Sequence, residues 1–162
     1  MKEHKPIKRD KAFVTLSKDH HISLLLVWKI RHDLAANLSS KDISSYLLEF
    51  FRNDLHPHFK EEEEILFSKL PDNDVLRIQA QKEHKNIYEL IESISKNDSD
   101  KDLLKQFADL LEAHVRFEER VLFNHFQQTL KPEELGEIFV EIAAHNNSTK
   151  ERKLFTSVSK KS

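Results

Sequence analysis

The chain of 162 residues contains no cysteine and only one glycine, Gly136. Without cysteine it forms no disulfide, no thiolate zinc site and no cysteine-ligated iron–sulfur cluster, and it has no thiol nucleophile. A single glycine also excludes phosphate-binding loops and dinucleotide fingerprints, which need several glycines where the backbone approaches the ligand. Nucleotide-dependent enzymes of those classes are therefore excluded.

Long apolar runs and a surplus of positive charge are also missing. No segment approaches the roughly 18 consecutive apolar residues that span a bilayer, and the amino-terminal residues lack the apolar segment of a signal peptide. Lysine and arginine total 26 against 28 aspartate and glutamate, a formal net charge of −2. This balance argues against nucleic-acid binding through a globally basic surface. We therefore expect a cytoplasmic protein that binds neither membranes nor nucleic acid.

The distribution of apolar residues predicts an all-α chain. Glycine and proline are scarce, and apolar residues recur at steps of three and four along most of the sequence. Pro57 is expected to kink the second helix, and Ser99 is a candidate cap for the fourth. The predicted helices cover about residues 17–38, 43–70, 75–95, 99–128 and 132–155.

Four long helices with short links imply an antiparallel up-down-up-down bundle. Its core is expected over about residues 16–128, within one domain that spans residues 1–162. The additional C-terminal helix either covers the bundle or mediates a homodimer, and periodicity does not separate these two roles. In such bundles, ligand sites are built from side chains that project inward from facing helices.

Ten histidines are present, and histidine is the side chain most often recruited as a metal ligand near neutral pH. The pattern HxxxEExxLF occurs twice, once in the second predicted helix and once in the fourth. Residues four apart on a helix lie about 40° apart around its axis, so that a histidine and a glutamate at this spacing can converge on one cation. The candidate pairs are His58 with Glu62, and His114 with Glu118.

The glutamates in these patterns are expected to differ in environment. Glu63 and Glu119 lie about 140° from the histidines and should point elsewhere, while Glu61 and Glu64 are assigned to a solvated face. One isolated HxxxE would be read as a surface ion pair, but both copies here lie on apolar stripes. An ionised carboxylate in an apolar core costs several kcal/mol unless a positive charge compensates it. Two facing acidic groups therefore predict a bound cation.

The first and third helices each offer a histidine beside an acid, in Asp19-His20-His21 and in Glu83-His84. His20 and His21 compete for one position. His21 is favoured because Leu24, Leu25 and Trp28 follow it at helical spacing on what we take to be the inner side. The pattern thus predicts two similar helical hairpins. Packing these hairpins about a pseudo-twofold axis would gather four histidines and two glutamates at the middle of the bundle.

Four motifs in this order resemble the hemerythrin-like, HHE cation-binding family over about residues 16–128. They are DHHxxL at residues 19–24, HFxxEE at 58–63, EHxxI at 83–87 and HVRFEERxLF at 114–123. The resemblance implies a four-helix bundle holding two non-haem iron ions, with two carboxylates bridging the irons and imidazoles completing the ligand shell. The ligands it implies are His20 or His21, His58, Glu62, His84, His114 and Glu118.

Family members bind dioxygen, sense oxygen or iron, or respond to nitric oxide and damaged iron–sulfur clusters. Oxygen carriers have a second histidine one turn after the third-helix ligand, where this chain has Tyr88, which argues against reversible oxygen carriage. The resemblance therefore implies a di-iron protein that handles or senses dioxygen, nitric oxide or iron. A di-iron enzyme that reduces peroxide or nitric oxide and a metal-free helical interaction module are the alternatives. Zinc and manganese are alternatives to iron.

Overall fold

The computed structural model describes residues 8–159, with side chains through residue 147. Five helices follow one another, and no β-strand occurs in this part of the chain, which confirms the predicted all-α class. Residues 1–7 and 160–162 of the expected domain lie outside the described residues. The helices are α1 (Val14–Ala35, preceded by a 3-10 turn at Lys11–Phe13), α2 (residues 40–69), α3 (Val75–Lys96), α4 (residues 101–129) and α5 (Pro132–Ser159).

Helices α2 and α4 are interrupted by wide π-helical turns. In α2 the order is Ser40–Phe50, a π turn at Phe51–Leu55, His56–Glu61, a second π turn at Glu62–Leu66, and a 3-10 turn at Phe67–Lys69. In α4 the order is Lys101–Phe117, a π turn at Glu118–Leu122, and Phe123–Thr129. The distortion predicted at Pro57 takes the form of the π turn just before it, since proline lacks an N–H to continue the α-helical ladder. The other two π turns begin at Glu62 and Glu118, and such turns are frequent at functional sites.

Aspartate side chains fix the starts of α3 and α4. Asp74 caps α3, where its carboxylate accepts hydrogen bonds from the backbone N–H groups of Leu76 and Arg77. Asp100 caps α4 in the same way. The prediction of Ser99 as this cap is wrong by one residue, and both residue types are good caps because their short side chains reach the unpaired N–H groups of the first turn.

The buried apolar side chains form two clusters, one on each side of a polar layer. The first cluster includes Val27, Leu47, Ile87 and Phe107. The second combines residues near both ends of the described chain with residues of α2 and α4, and it includes Phe13, Leu16, Leu66, Phe123, Ile138 and Ile142. Along α1 to α4, the buried histidines and glutamates lie in sequence between residues of these two clusters. No helix in the described part of the chain is long and apolar enough to cross a bilayer.

Candidate metal centre

Two glutamates lie at the centre of the bundle, where Glu62 and Glu118 are both 0% exposed. Four buried histidines, one from each of α1 to α4, surround them. They form two groups, His20, His58, Glu62 and Glu118 in one, and His84, His114, Glu62 and Glu118 in the other. Within each group, one ligand atom of every residue lies within 4.8 Å of those of the others. Both carboxylates belong to both groups, so the two groups share Glu62 and Glu118.

The Nε2 atoms of the four histidines face this centre. In α1 and α4, Nε2 of His20 lies 2.8 Å and Nε2 of His114 lies 3.3 Å from Oε1 of Glu118. In α2 and α3, Nε2 of His58 and Nε2 of His84 lie 3.3 and 3.2 Å from Oε1 of Glu62. The Nε2 atoms also approach each other in pairs, at 3.2 Å between His58 and His20 and at 3.1 Å between His84 and His114.

The outer nitrogen of each histidine is held by a carboxylate on another helix. The four Nδ1–carboxylate contacts are His20 with Glu119 at 2.9 Å, His58 with Asp19 at 3.0 Å, His84 with Glu63 at 2.8 Å, and His114 with Glu83 at 2.8 Å. When Nδ1–H donates to a carboxylate, Nε2 of a neutral imidazole presents its lone pair inward. Metal-binding histidines almost always have such a partner on the other ring nitrogen, which fixes the ring and raises its basicity.

Several oxygen atoms at the centre lack hydrogen bonds. Among the described side chains, both carboxylate oxygens of Glu62 and Oε2 of Glu118 are buried without a well-aligned hydrogen bond, although Nε2 of His58 and of His84 lie 3.3 and 3.2 Å from Oε1 of Glu62. Leaving a buried carboxylate in this state is costly, and two imidazole lone pairs about 3 Å apart repel unless something positive lies between them. The residues present therefore fit a bound cation, because one charge satisfies the oxygens and the facing nitrogens together.

Protons provide the positive charge when the protein is metal-free. Burial, and then the charge of Glu118, raise the pKa of Glu62 to about 8. Burial opposes charge on His114, but Glu118 outweighs it and raises the pKa of His114 to about 10. Burial likewise opposes charge on Glu118, yet His114 and His20 hold its pKa well below the usual value. A metal cation has to displace these protons, so binding weakens as the pH falls.

Of the two competing histidines, the structure buries His20 and exposes His21. His20 is 2% exposed, whereas His21 is exposed and belongs to neither group. The preference for His21 is therefore wrong. Leu25 and Trp28, on which it depended, are themselves 55% and 63% exposed. The buried side of α1 instead includes Leu16, Ser23, Val27 and Ile30, which lie at helical spacing from His20.

Two other expectations concern the run of glutamates in α2. Glu64 is exposed as expected. Glu61 is only 3% exposed, so its assignment to a solvated face is wrong. The reason is helix α5, whose His145 donates a hydrogen bond from Nδ1 to Oε2 of Glu61 at 2.8 Å.

The carboxylates that hold the outer nitrogens were not identified as functional from the sequence. Glu63 and Glu119 point away from the centre, as predicted, but each reaches a histidine on a neighbouring helix. The sequence carries one usable clue, because both hairpins contain an acid directly before the first histidine and a second glutamate in the EE pair. The four residues are Asp19, Glu63, Glu83 and Glu119.

Aromatic side chains pack against the same imidazoles. The last residue of each HxxxEExxLF pattern does so in both repeats, with ring centroids 5.3 Å apart for Phe67 and His84 and 5.4 Å apart for Phe123 and His20. Phe59 also stacks on His84 at 3.9 Å. Tyr88 lies beside them, and its hydroxyl donates to Oε2 of Glu63 at 2.7 Å. The phenyl rings restrict how the imidazoles can rotate and keep water from this side of the centre.

Comparison with known proteins gives one match. The model of the hemerythrin HHE cation-binding domain matches residues 13–126, which include all six buried histidines and glutamates of the two groups. No curated protein and no solved structure matches the chain. The match covers most of the chain and confirms the resemblance inferred from the four motifs. The buried histidine and glutamate groups of this chain fit metal binding. The chain belongs to the hemerythrin HHE cation-binding domain family.

Proposed function

We propose that this protein binds two iron ions at the centre of its helical bundle. The proposed ligands are His20, His58, Glu62, His84, His114 and Glu118, and the ions would share the two glutamates, which belong to both groups. The observation that carries the proposal is the pair of fully buried carboxylates of Glu62 and Glu118, which four imidazoles enclose with their Nε2 atoms facing inward. Three of the four carboxylate oxygens, both of Glu62 and Oε2 of Glu118, have no well-aligned hydrogen bond among the described residues. A metal-free helical interaction module gives no reason for this arrangement, since apolar residues would fill the same space at lower cost.

Iron is favoured by the number and type of ligands. Six mixed histidine and carboxylate ligands shared by two ions suit iron, whereas structural zinc closes at four ligands with no open position. Each group offers two histidines and two shared carboxylates, so a six-coordinate ion held by one group would keep open positions. Metal analysis of the purified protein would distinguish iron from zinc or manganese.

Bound iron supplies open coordination positions at which a diatomic molecule such as dioxygen or nitric oxide can bind. The residues of the chain hold and orient the imidazoles through their Nδ1 contacts, and Phe59, Phe67 and Phe123 exclude water around them. We infer a role in handling or sensing dioxygen, nitric oxide or iron itself. The position of Tyr88, which binds Glu63 rather than the centre, supports a role other than reversible oxygen carriage.

A di-iron enzyme that reduces peroxide or nitric oxide is the second candidate. It is favoured by the open coordination positions, which admit a reacting molecule. Steady consumption of peroxide or nitric oxide by the iron-loaded protein with an electron donor would support the enzyme. Binding without turnover would support a sensor or store.

We further infer that α5 belongs to the same domain as the bundle. Ile138 and Ile142 of α5 lie in one buried cluster with Phe13, Leu66 and Phe123. Burying apolar side chains of this size contributes about 1.5–3 kcal/mol each. The same contacts leave the isoleucines of α5 covered within one chain, which favours the covering role over a homodimer.

The iron content of the protein tests the proposal directly. Protein purified without chelator, or reconstituted anaerobically with Fe²⁺, is expected to contain two iron ions per chain and to show ligand-to-metal absorption after exposure to air. Fewer than one iron per chain, with no such absorption after reconstitution, contradicts the proposed function. A full complement of zinc or manganese with no affinity for iron contradicts only the choice of metal.

Neighbouring histidines of α1 provide a matched pair of variants. The variant His20→Ala is expected to lose iron mainly from the group that contains His58. Iron in the group of His84 and His114, which keeps both of its histidines, is expected to be retained better. His21→Ala should bind iron like the wild type because its side chain is exposed and outside both groups. Iron per chain and the absorption spectrum measure this difference. Equal iron content in the two variants would show that His20 is not a ligand.

A further inference from the structure

A small pocket opens beside His58, between α1, α2 and α5. It has a volume of about 100 Å³, and we call it the acidic pocket because its lining includes Asp19, Asp54 and Glu61. His145 of α5 also lines it. No lysine or arginine is among the described residues that line it, so the pocket provides a path of negative charge from the surface to His58.

Glu61 is the unusual residue of the acidic pocket. Its side chain is 3% exposed, and only one of its oxygens is paired, Oε2 with Nδ1 of His145. The other oxygen, Oε1, is buried without a hydrogen-bond partner among the described residues. His58 and Asp19 line the same pocket as Glu61, so the carboxylate of Glu61 lies beside a proposed ligand and beside the acid that orients this ligand. An unpaired buried carboxylate oxygen that lines a pocket is suited to a cation.

The second repeat shows that the centre itself does not require this acid. His58 corresponds to His114 in the two HxxxEExxLF copies, so the equivalent of Glu61 is Phe117. Phe117 is half-buried and packs against an apolar cluster. The two copies share the histidine, the two glutamates and the final LF pair, so Glu61 adds a charge that the shared ligand set does not use.

The opening beside the other half of the centre has a different character. A surface pocket of about 350 Å³ next to His84 is lined by Glu63, Gln81, Lys85 and Tyr88. Glu63 is already engaged there by His84 and by the hydroxyl of Tyr88, and Lys85 adds a positive charge. Of these two openings, a divalent cation is therefore attracted more strongly to the acidic pocket.

We propose that the acidic pocket is the entry site for the metal, where Glu61 binds a divalent cation before it passes to His58. This inference rests on the proposed function, because it assumes a metal site at the centre. Oε1 of Glu61 replaces one water ligand of the arriving cation, and Asp19 and Asp54 raise the local cation concentration. Clefts lined by charges of one sign raise association rates by about 10-fold or more.

The rate of Fe²⁺ loading into metal-free protein tests the entry site. Fe²⁺ is added anaerobically, and aliquots are quenched with excess chelator at increasing times before protein-bound iron is measured. Glu61→Gln keeps the size of the side chain and an acceptor for His145, and it is expected to load about tenfold more slowly than the wild type while reaching the same final iron content. Glu64→Gln, which removes an exposed charge from the same helix, should load at the wild-type rate.

A second variant guards against a folding defect in Glu61→Gln. Asp54 is exposed at the same pocket, and Asp54→Asn is expected to slow loading about twofold, with the slowing abolished at high salt because exposed charges are screened. Wild-type loading rates in both Glu61→Gln and Asp54→Asn would overturn the entry site while leaving the centre intact. Failure of the wild type to bind iron at all would overturn both the centre and its entry site.

Discussion

Replacing Glu62 by glutamine is expected to weaken iron binding by at least about 100-fold without unfolding the protein. Glu62 belongs to both cation groups, so its loss removes an anionic ligand from each position, and even changes to residues that merely orient ligands cost 10- to 100-fold in affinity. Glutamine has nearly the same shape as protonated glutamate and fits the same buried volume. Iron titration of the metal-free variant, with helical content from circular dichroism, measures both effects.

The same substitution is expected to change how the metal-free protein responds to pH. Because burial raises the pKa of Glu62 from 4.5 to about 8, the folded state retains a proton that the unfolded state releases between these values. The stability of the metal-free wild type therefore falls as the pH rises through this range. Glutamine does not titrate, so Glu62→Gln is expected to match the wild type near pH 4.5 and to exceed it near pH 8, by about 4 kcal/mol.

Denaturant unfolding of chelator-treated protein at both pH values checks this result. The control is Glu64→Gln, since Glu64 is exposed on the same helix as Glu62 and should follow the wild type at both pH values. A metal-free Glu62→Gln that loses stability in parallel with the wild type would show that Glu62 does not hold the proton. Unchanged iron affinity in the same variant would remove Glu62 from the ligand set.

Removing the metal is expected to lower the melting temperature of the wild type by about 5–10 °C for each cation. A ligand present at 100 times its Kd stabilises the folded state by about 2.7 kcal/mol, and 1 kcal/mol changes the melting temperature of a protein of this size by about 2–4 °C. The double variant His58→Ala with His114→Ala removes one histidine from each group. Its melting temperature should be the same with Fe²⁺ and with chelator.

This comparison separates a metal centre from a metal-free interaction module. Each variant is compared only with itself, so the cavities that alanine leaves in the core do not affect the difference between the two conditions. The matched control is His21→Ala with His32→Ala, because both histidines are exposed on α1. This control should retain the full response to Fe²⁺. A wild type that melts at one temperature in both conditions would favour the interaction module.

The sequence predicted the parts of the fold and site that depend on helical spacing within one helix. Four-residue spacing on two apolar stripes identified Glu62 and Glu118 as buried, and both are fully buried. It also placed the ends of α3 within a residue or two, because Asp74 and the polar turn after Lys96 provide clear boundaries. These features follow from local geometry, which one sequence contains.

The remaining features depend on what a neighbouring helix covers. Apolar residues lie on several sides of α1, so periodicity could not separate His20 from His21. His145 of α5 contacts the buried carboxylate of Glu61, and no spacing within α2 reveals this neighbour. The π turns that begin at Glu62 and Glu118 change the angular position of every later residue. Nothing in the composition of either segment marks such a turn.

The four outer carboxylates have a consequence for the bundle as a whole. Asp19 of α1 binds a histidine of α2, Glu63 of α2 one of α3, Glu83 of α3 one of α4, and Glu119 of α4 one of α1. The contacts therefore form a closed ring in which each of the helices α1 to α4 supplies one carboxylate to a neighbour and receives one on its own histidine. No helix can move outward without releasing two imidazoles, one that it carries and one that it holds. The ring has no first or last member, so α1, where the chain enters the bundle, is tied to α4, where the chain leaves it, as the other neighbours are tied to each other.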